Sequence, residues 1–180
     1  MTQAARIYAS HYTVAEWENW QDQWELIEGV PYCMSPAPSI RHQQICLSIS
    51  SLILEKLKNK ICKKCKVFIP IDWQISEDTV VQPDVLVICE PIKGIRLTFP
   101  PEAIFEILSP STRKKDKTEK FELYQSQKVK YYTLVDPETE EVEIFTLGPE
   151  GFYQKVDFNS TYSFEFGECK VEIDFKSIWE

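Results

Sequence analysis

The sequence predicts an α/β chain of the α+β kind, with a mixed central β-sheet flanked by two main helices. Its 180 residues suit one ordinary domain with a sizeable core. The predicted elements run in the order helix, hairpin, long helix, several strands, helix and several strands, which is typical of a mixed sheet with packed helices. No internal repeat and no composition shift divides the chain. We therefore expect a single domain over residues 1–180.

The first elements are a short helix and a β-hairpin. Thr13 is expected to cap the helix, and Glu16 lies at the third helical position, where it completes a capping box. Glu28 and Gly29 lie between two apolar runs, and this pattern predicts a tight hairpin turn. Glu25 and Glu28 flank that turn. Because the chain alternates there, both glutamates are expected to face solvent.

The longest helical pattern begins at Ser39 and continues to about residue 59, with apolar residues at roughly helical spacing. His42 lies in its first turn. It could act as a ligand or base for a nearby site, or it could be a surface histidine. Short strands are predicted over 67–69 and 72–75, separated by Pro70.

Two apolar runs in the middle of the chain each contain one carboxylate. Asp84 follows Pro83 in a strand predicted over 81–88, and Glu106 lies within a strand predicted over 103–108. A buried acid is costly unless it is paired, hydrogen-bonded or bound to a cation. Two such acids on neighbouring strands would form an oxygen-rich site suited to Mg²⁺ or Mn²⁺. In the alternative interpretation, Asp84 caps a turn and Glu106 pairs with a lysine.

Lys120 is the candidate third group of that site. It lies on a helix predicted over 118–127, with Tyr124 one turn further on the same face. A lysine near two acids could offset phosphate charge or position a water molecule. The alternative is a solvated basic face, since four other cations precede Lys120: Arg113, Lys114, Lys115 and Lys117. Beyond this helix, a strand is predicted over 130–135, and short strands follow from residue 142 to the end.

Composition excludes several classes of function. The formal net charge of −8 argues against general binding of polyanions, although a nucleic-acid enzyme with local basic patches stays possible. Neither a phosphate-cradling glycine loop nor a serine-nucleophile elbow is present in the sequence. No secretory signal or membrane-spanning run is visible, so we expect a cytoplasmic protein with reduced cysteines and no membrane partner.

Two minor features carry weaker hypotheses. Cys62 and Cys65 have the spacing of half a zinc site, but the sequence offers no second pair to complete it. The lysines between residues 56 and 66 could contact a phosphate backbone. A solvated helix end, favoured by the helix dipole, explains the same lysines.

An ordered set of short motifs resembles the Uma-type restriction endonuclease family, formerly a domain of unknown function, within the PD-(D/E)XK nuclease superfamily. The resemblance covers roughly residues 25–147. Its marks are WELIEG at 24–29, SP at 35–36, His42, VQPD at 81–84, FEILSPST at 105–112, Asp116, Lys120, Tyr124 and YTLVDP at 132–137.

The resemblance implies a restriction-endonuclease-like core and a Mg²⁺-dependent endonuclease acting on DNA, with Mn²⁺ as a possible substitute. Asp84 and Glu106 match the two acids of the motif, and they would hold the metal with the carbonyl of Ile107. The superfamily lysine is replaced here by Leu108, and the family supplies its lysine from the next helix, where Lys120 matches. His42 would hold a ligand or water.

Two other functions remain open at this stage. The same fold could serve as a non-cleaving nucleic-acid-binding module. It could also be a dimeric interaction scaffold, with the strands between residues 142 and 173 forming the interface. A homodimer is accordingly a possible partner state.

Overall fold

The computed structural model describes residues 10–34, 37–58 and 64–180. Its helices are α1 (Val14–Trp17), α2 (Ile40–Lys58), α3 (Arg113–Lys117) and α4 (Glu119–Ser126), and a 3-10 helix covers Phe175–Ile178. The strands are β1 (Trp24–Ile27), β2 (Val30–Cys33), β3 (Lys66–Phe68), β4 (Trp73–Gln74), β5 (Val80–Val81), β6 (Val85–Ile88), β7 (Ala103–Ile107), β8 (Tyr131–Asp136), β9 (Glu141–Leu147), β10 (Tyr153–Lys155), β11 (Thr161–Phe166) and β12 (Cys169–Asp174).

A six-stranded mixed sheet forms the centre of the fold. Its strand order is β10-β9-β8-β7-β6-β3, and within it β7 and β8 run parallel while the other neighbours are antiparallel. The chain crosses from β7 to β8 through α3 and α4, as a parallel connection requires. The predicted mixed sheet flanked by helices is therefore confirmed.

A smaller sheet of order β2-β1-β5-β4 stands beside the central one. The predicted continuous strand over 81–88 is wrong, because it is two strands, β5 and β6, that belong to different sheets. Pro83 lies between them, and a proline has no N–H to donate to a ladder. The break puts Asp84 at the open end of β6.

Each face of the central sheet has its own apolar core. One face packs against α2, through residues such as Ile49 and Ile53, and against the β11–β12 hairpin. The other face packs against α4 and the smaller sheet, with Trp73 stacked on Tyr124 at a ring-centroid distance of 5.7 Å. The candidate functional site lies at the end of the central sheet, between the α2 side and the α4 side.

The local predictions at the N-terminal side are confirmed. Thr13 and Glu16 form the capping box of α1. Glu28 and Gly29 form the β1–β2 turn with φ angles of 48° and 76°, a left-handed conformation that suits a tight hairpin. The helix that begins after Ser39 ends at Lys58, close to the predicted end.

The prediction of reduced cysteines is wrong for Cys65 and Cys89, which a disulfide joins. The two residues end up side by side because the sheet pairs Lys66 with Ile88, a register that the sequence spacing does not reveal. Bonded in this way, Cys65 is not a zinc thiolate, and Cys62 lies outside the described residues. Of the lysine run, Lys60 and Lys63 also lie outside them, while the end of α2 at Lys58 is exposed.

None of the helices in the described part of the chain combines the length and apolarity needed to span a bilayer. The single domain over 1–180, the homodimer and the cytoplasmic location stay predictions.

Candidate active site

The two predicted acids face each other across neighbouring strands. β6 and β7 pair with Val85 opposite Phe105, so the next pair outward is Asp84 opposite Glu106. The backbone N–H of Ile107 donates to Asp84 Oδ2 at 2.8 Å, and the N–H of Asp84 lies 3.4 Å from Glu106 Oε2. Asp84 therefore ties β6 to β7 instead of capping a turn. Glu106 is only 2% exposed.

Lys120 brings its ammonium group directly to Glu106. Its Nζ lies 2.9 Å from Glu106 Oε1, 2.7 Å from Glu25 Oε1 and 3.7 Å from Asp116 Oδ1. The side chain is buried, so the interpretation of Lys120 as part of a solvated face is wrong. Tyr124, one turn further along α4, donates its hydroxyl to the same Glu106 oxygen at 2.9 Å. The predicted shared helix face is real and points at the acid.

Leu108, at the motif position of the superfamily lysine, lies two residues beyond Glu106 and on the same side of the strand. It is buried in the apolar core that contains Tyr124. The ammonium group that reaches the Glu106 carboxylate comes from α4 instead. It belongs to Lys120, which lies one helical turn before Tyr124. This placement supports the substitution of Lys120 for the motif lysine.

The prediction that Glu25 faces solvent is wrong. We expected a solvated side chain, but Glu25 is 1% exposed and forms ion pairs with Lys115 and Lys120. It also accepts a hydrogen bond from the backbone N–H of Gln82 at 2.8 Å. The reason is tertiary, since α3 and α4 bring their lysines onto the face of β1 that alternation assigned to solvent. Glu28, at the turn, is exposed as predicted.

His42 joins the site from α2. Its Nε2 lies 3.2 Å from Asp84 Oδ2, and the residue is 8% exposed, so the surface alternative is wrong. Ser39 accepts the backbone N–H of His42 at 3.2 Å and thereby caps the first turn that carries it. Burial lowers the pKa of His42, but contacts with Asp84 and with the backbone of Ile107 outweigh it and hold the pKa above 6.5.

Buried charge in the cluster is unbalanced. Among the described residues, the carboxylates of Glu25, Asp84, Glu106 and Asp116 face two ammonium groups, those of Lys115 and Lys120, together with the imidazole of His42 beside Asp84.

This imbalance appears in the pKa values of the site. Burial, reinforced by the charges of Asp116 and Asp84, raises the pKa of Glu106 well above its usual value despite Lys120. Burial would lower the pKa of Lys120, but Glu106, Glu25 and Asp116 raise it well above its usual value. The neighbouring acids thus favour the charged form of Lys120, whereas burial and the same acids disfavour the charged form of Glu106.

These residues suit a hard divalent cation. Asp84, Glu106 and the Ile107 carbonyl are oxygen donors, which Mg²⁺ prefers. A divalent ion would offset the excess of carboxylates over ammonium groups. The acids line a cleft of about 400 Å³ whose floor also includes Lys115 and Lys120. Asp116 Oδ1 is buried and has no hydrogen-bond partner among the described residues, with Lys120 Nζ 3.7 Å away.

Sequence reasoning assigned no role in this site to three of its residues: Glu25, Lys115 and Asp116. Asp116 lies one helical turn before Lys120, so i,i+4 spacing could have identified it. Glu25 and Lys115 carried no local signal, because their contact joins residues 90 positions apart.

Comparisons with known proteins show what this chain resembles in fold and in sequence. A crystal structure described as a putative nuclease of the DUF820 family from Anabaena variabilis ATCC 29413 superposes with a TM-score of 0.72. It covers 93% of this chain and 97% of its own at 18% identity, a likeness that concerns the fold. The two chains therefore share one mixed α+β fold.

The chain belongs to the Uma2 family, whose model, described as "Putative restriction endonuclease", matches residues 10–168. It is also 26% identical over 150 residues to an uncharacterized protein, slr1290, of Synechocystis sp. (strain ATCC 27184 / PCC 6803 / Kazusa). That match covers 81% of this chain and 78% of the relative. The predicted family is confirmed, and family and fold together support a nuclease-type function with nucleic acid as the substrate class.

Proposed function

We propose that this protein is a Mg²⁺-dependent endonuclease that hydrolyses DNA phosphodiester bonds at a site formed by Asp84, Glu106 and Lys120. The observation that carries the proposal is the cleft floor, where four acids face two lysines at the open end of the central sheet. The excess of carboxylates calls for a divalent cation, and nuclease chemistry uses such an ion.

Asp84, Glu106 and the Ile107 carbonyl would hold the ion, with Mn²⁺ as a possible replacement. When bound, Mg²⁺ supplies a polarised phosphate and a water molecule of lowered pKa. The chain prepares this arrangement in advance, because the N–H of Ile107 fixes Asp84 and the hydroxyl of Tyr124 fixes Glu106. Preorganised donors lose little energy to reorganisation during the reaction.

Lys120 would act on the attacking water or on the phosphate. Its ammonium has three N–H donors, and two of them are directed to Glu25 and Glu106. The third can serve a water molecule or a phosphate oxygen in the cleft, which Lys120 helps to line. His42 would hold Asp84 in place from the opposite side of the sheet.

Plasmid cleavage tests the proposal. Wild-type protein should cut supercoiled DNA with Mg²⁺ or Mn²⁺ and not with EDTA. Asp84→Ala and Glu106→Ala should each abolish cutting, because each removes one of the two acidic ligands. Lys120→Met should reduce cutting at least a hundredfold.

Matched controls are Asp157→Ala, Glu172→Ala and Lys93→Met, whose side chains are exposed and lie outside the cleft. They should cut like wild type, and circular dichroism should show every variant folded. Unchanged cutting by a folded Asp84→Ala or Glu106→Ala variant would refute the proposal.

A non-cleaving DNA-binding module is the second candidate, and Leu108 in place of the motif lysine is the observation that favours it. Such a module should bind DNA with strong salt dependence and no dependence on divalent ions. A dimeric scaffold should show neither property and should self-associate.

A further inference from the structure

His42, Cys46 and Asp84 form a second set of metal-binding atoms beside the proposed Mg²⁺ site. One ligand atom from each residue lies within 4.8 Å of the others. Cys46 Sγ is 3.6 Å from His42 Nδ1, and His42 Nε2 is 3.2 Å from Asp84 Oδ2. His42 and Cys46 lie one turn apart on α2, so the helix itself holds the imidazole and the thiol side by side.

The donor types distinguish this set from the hard-oxygen site. A nitrogen, a sulfur and one carboxylate oxygen are the ligands that Zn²⁺ takes in proteins, whereas Mg²⁺ avoids sulfur. In a tetrahedral zinc site with bonds of about 2.0–2.3 Å, neighbouring ligand atoms lie about 3.3–3.7 Å apart. The distance between Cys46 Sγ and His42 Nδ1 already has this value. One ion takes only one ring nitrogen, so the Asp84 carboxylate, now next to Nε2, would have to turn towards the Nδ1 side of the ring to become the third ligand.

We propose that His42, Cys46 and Asp84 bind Zn²⁺ or a similar transition-metal ion at a site that shares Asp84 with the Mg²⁺ site, so that such ions inhibit the enzyme. The thiol gives its proton to solvent when the ion binds, and the thiolate and carboxylate together balance the 2+ charge. Three protein ligands leave one position for water, which makes the ion exchangeable.

Cobalt binding tests the site without reference to cleavage. Co²⁺ added to the purified protein should produce the near-ultraviolet thiolate-to-cobalt band, and one equivalent of Zn²⁺ should remove it. Cys46→Ser should lack the band. Cys33→Ser is the matched control because Cys33 is the other free thiol in the described part of the chain, and it should keep the band.

Asp84→Asn provides a second variant and should weaken Co²⁺ binding at least tenfold. If wild type shows no thiolate band, or Cys46→Ser keeps it, the site is refuted. A band in a protein that cuts no DNA would support the site while counting against the proposed function, so the two failures are distinguishable.

The inhibition arm rests on the proposed function. At fixed Mg²⁺, Zn²⁺ should suppress plasmid cutting by wild type, and Cys46→Ser should need at least ten times more Zn²⁺ for the same suppression. Cys46→Ser should cut normally in Mg²⁺ alone, because the thiol is not among the oxygen ligands. Equal zinc sensitivity in the two proteins would refute the inhibitory role.

Discussion

At the scale of single residues, Glu106 is the group on which the site depends. It has one oxygen paired with both Lys120 and Tyr124, while its other oxygen faces Asp84. This division fixes the carboxylate and leaves the Asp84 side available to a cation. The Tyr124 hydroxyl is a neutral donor and the Lys120 ammonium is a charged one. Removing the hydroxyl therefore leaves no unpaired charge in the site.

Tyr124→Phe should lower cleavage about tenfold, because Glu106 is the proposed metal ligand and loss of a hydrogen bond that supports such a ligand usually has an effect of this size. It should also lower the free energy of unfolding by about 1–3 kcal/mol. Tyr153→Phe is the matched control, because its hydroxyl donates to the Val129 carbonyl at 3.0 Å away from the cleft. Chemical denaturation and plasmid assays on both variants check this. Equal loss of cleavage in the two would contradict the role of Tyr124.

His42 predicts a pH dependence of stability. Its pKa is higher in the folded protein than the ordinary 6.5, so its pairing with Asp84 stabilises the fold fully below pH 6.5. That contribution is lost as the pH rises through the folded pKa. In EDTA, the free energy of unfolding of wild type should therefore fall as the pH rises above 6.5, and His42→Gln should lessen the fall.

The control for this prediction is His11→Gln. His11 contacts Asp78 at the surface, with 60% of its side chain exposed, so its removal should leave the wild-type pH profile in place. Identical pH profiles for wild type and His42→Gln would contradict the assignment.

At the scale of elements, predictions succeeded where one segment contains its own signal. The capping box of Thr13, the turn at Gly29 and the apolar period of α2 are all local patterns, and each element formed where expected. The strand over 81–88 failed because its apolar run hides a change of sheet at Pro83. Local pattern predicts an element, while its neighbours are set by tertiary packing.

Glu25 shows how an element outside the central sheet completes the site. β1 belongs to the smaller sheet, yet its glutamate holds Lys115 of α3 and Lys120 of α4. The two lysines lower the pKa of Glu25 against the opposing effect of burial. Glu25 is therefore a positioning residue for Lys120.

Glu25→Gln should lower the free energy of unfolding by about 3–5 kcal/mol, because it leaves buried lysines short of a charge partner. Glu28→Gln, on the exposed turn of the same hairpin, should change it by less than about 0.5 kcal/mol. Urea titrations measure both. Glu25→Gln should also reduce cleavage under conditions in which it remains folded. Stability equal to that of Glu28→Gln would contradict the role of Glu25 in holding Lys115 and Lys120.

At the scale of the whole molecule, the site exists because three layers converge at one end of the central sheet. α2 contributes His42, the sheet contributes Asp84 and Glu106, and α4 contributes Lys120. The sequence alone singled out these four residues as candidates, because each interrupts a pattern or matches a family motif, and the structure brings them together. It could not identify the disulfide or the ion pairs of Glu25 with Lys115 and Lys120, since both depend on strand register and on contacts between distant segments.

The most direct test of the central claim is anomalous diffraction from crystals of the protein soaked in Mn²⁺. The account predicts a manganese peak bonded to carboxylate oxygens of both Asp84 and Glu106, at about 2.1–2.3 Å. The peak should vanish in crystals of Asp84→Asn. A well-ordered site with no peak between the two acids, or a peak that survives Asp84→Asn, would contradict it.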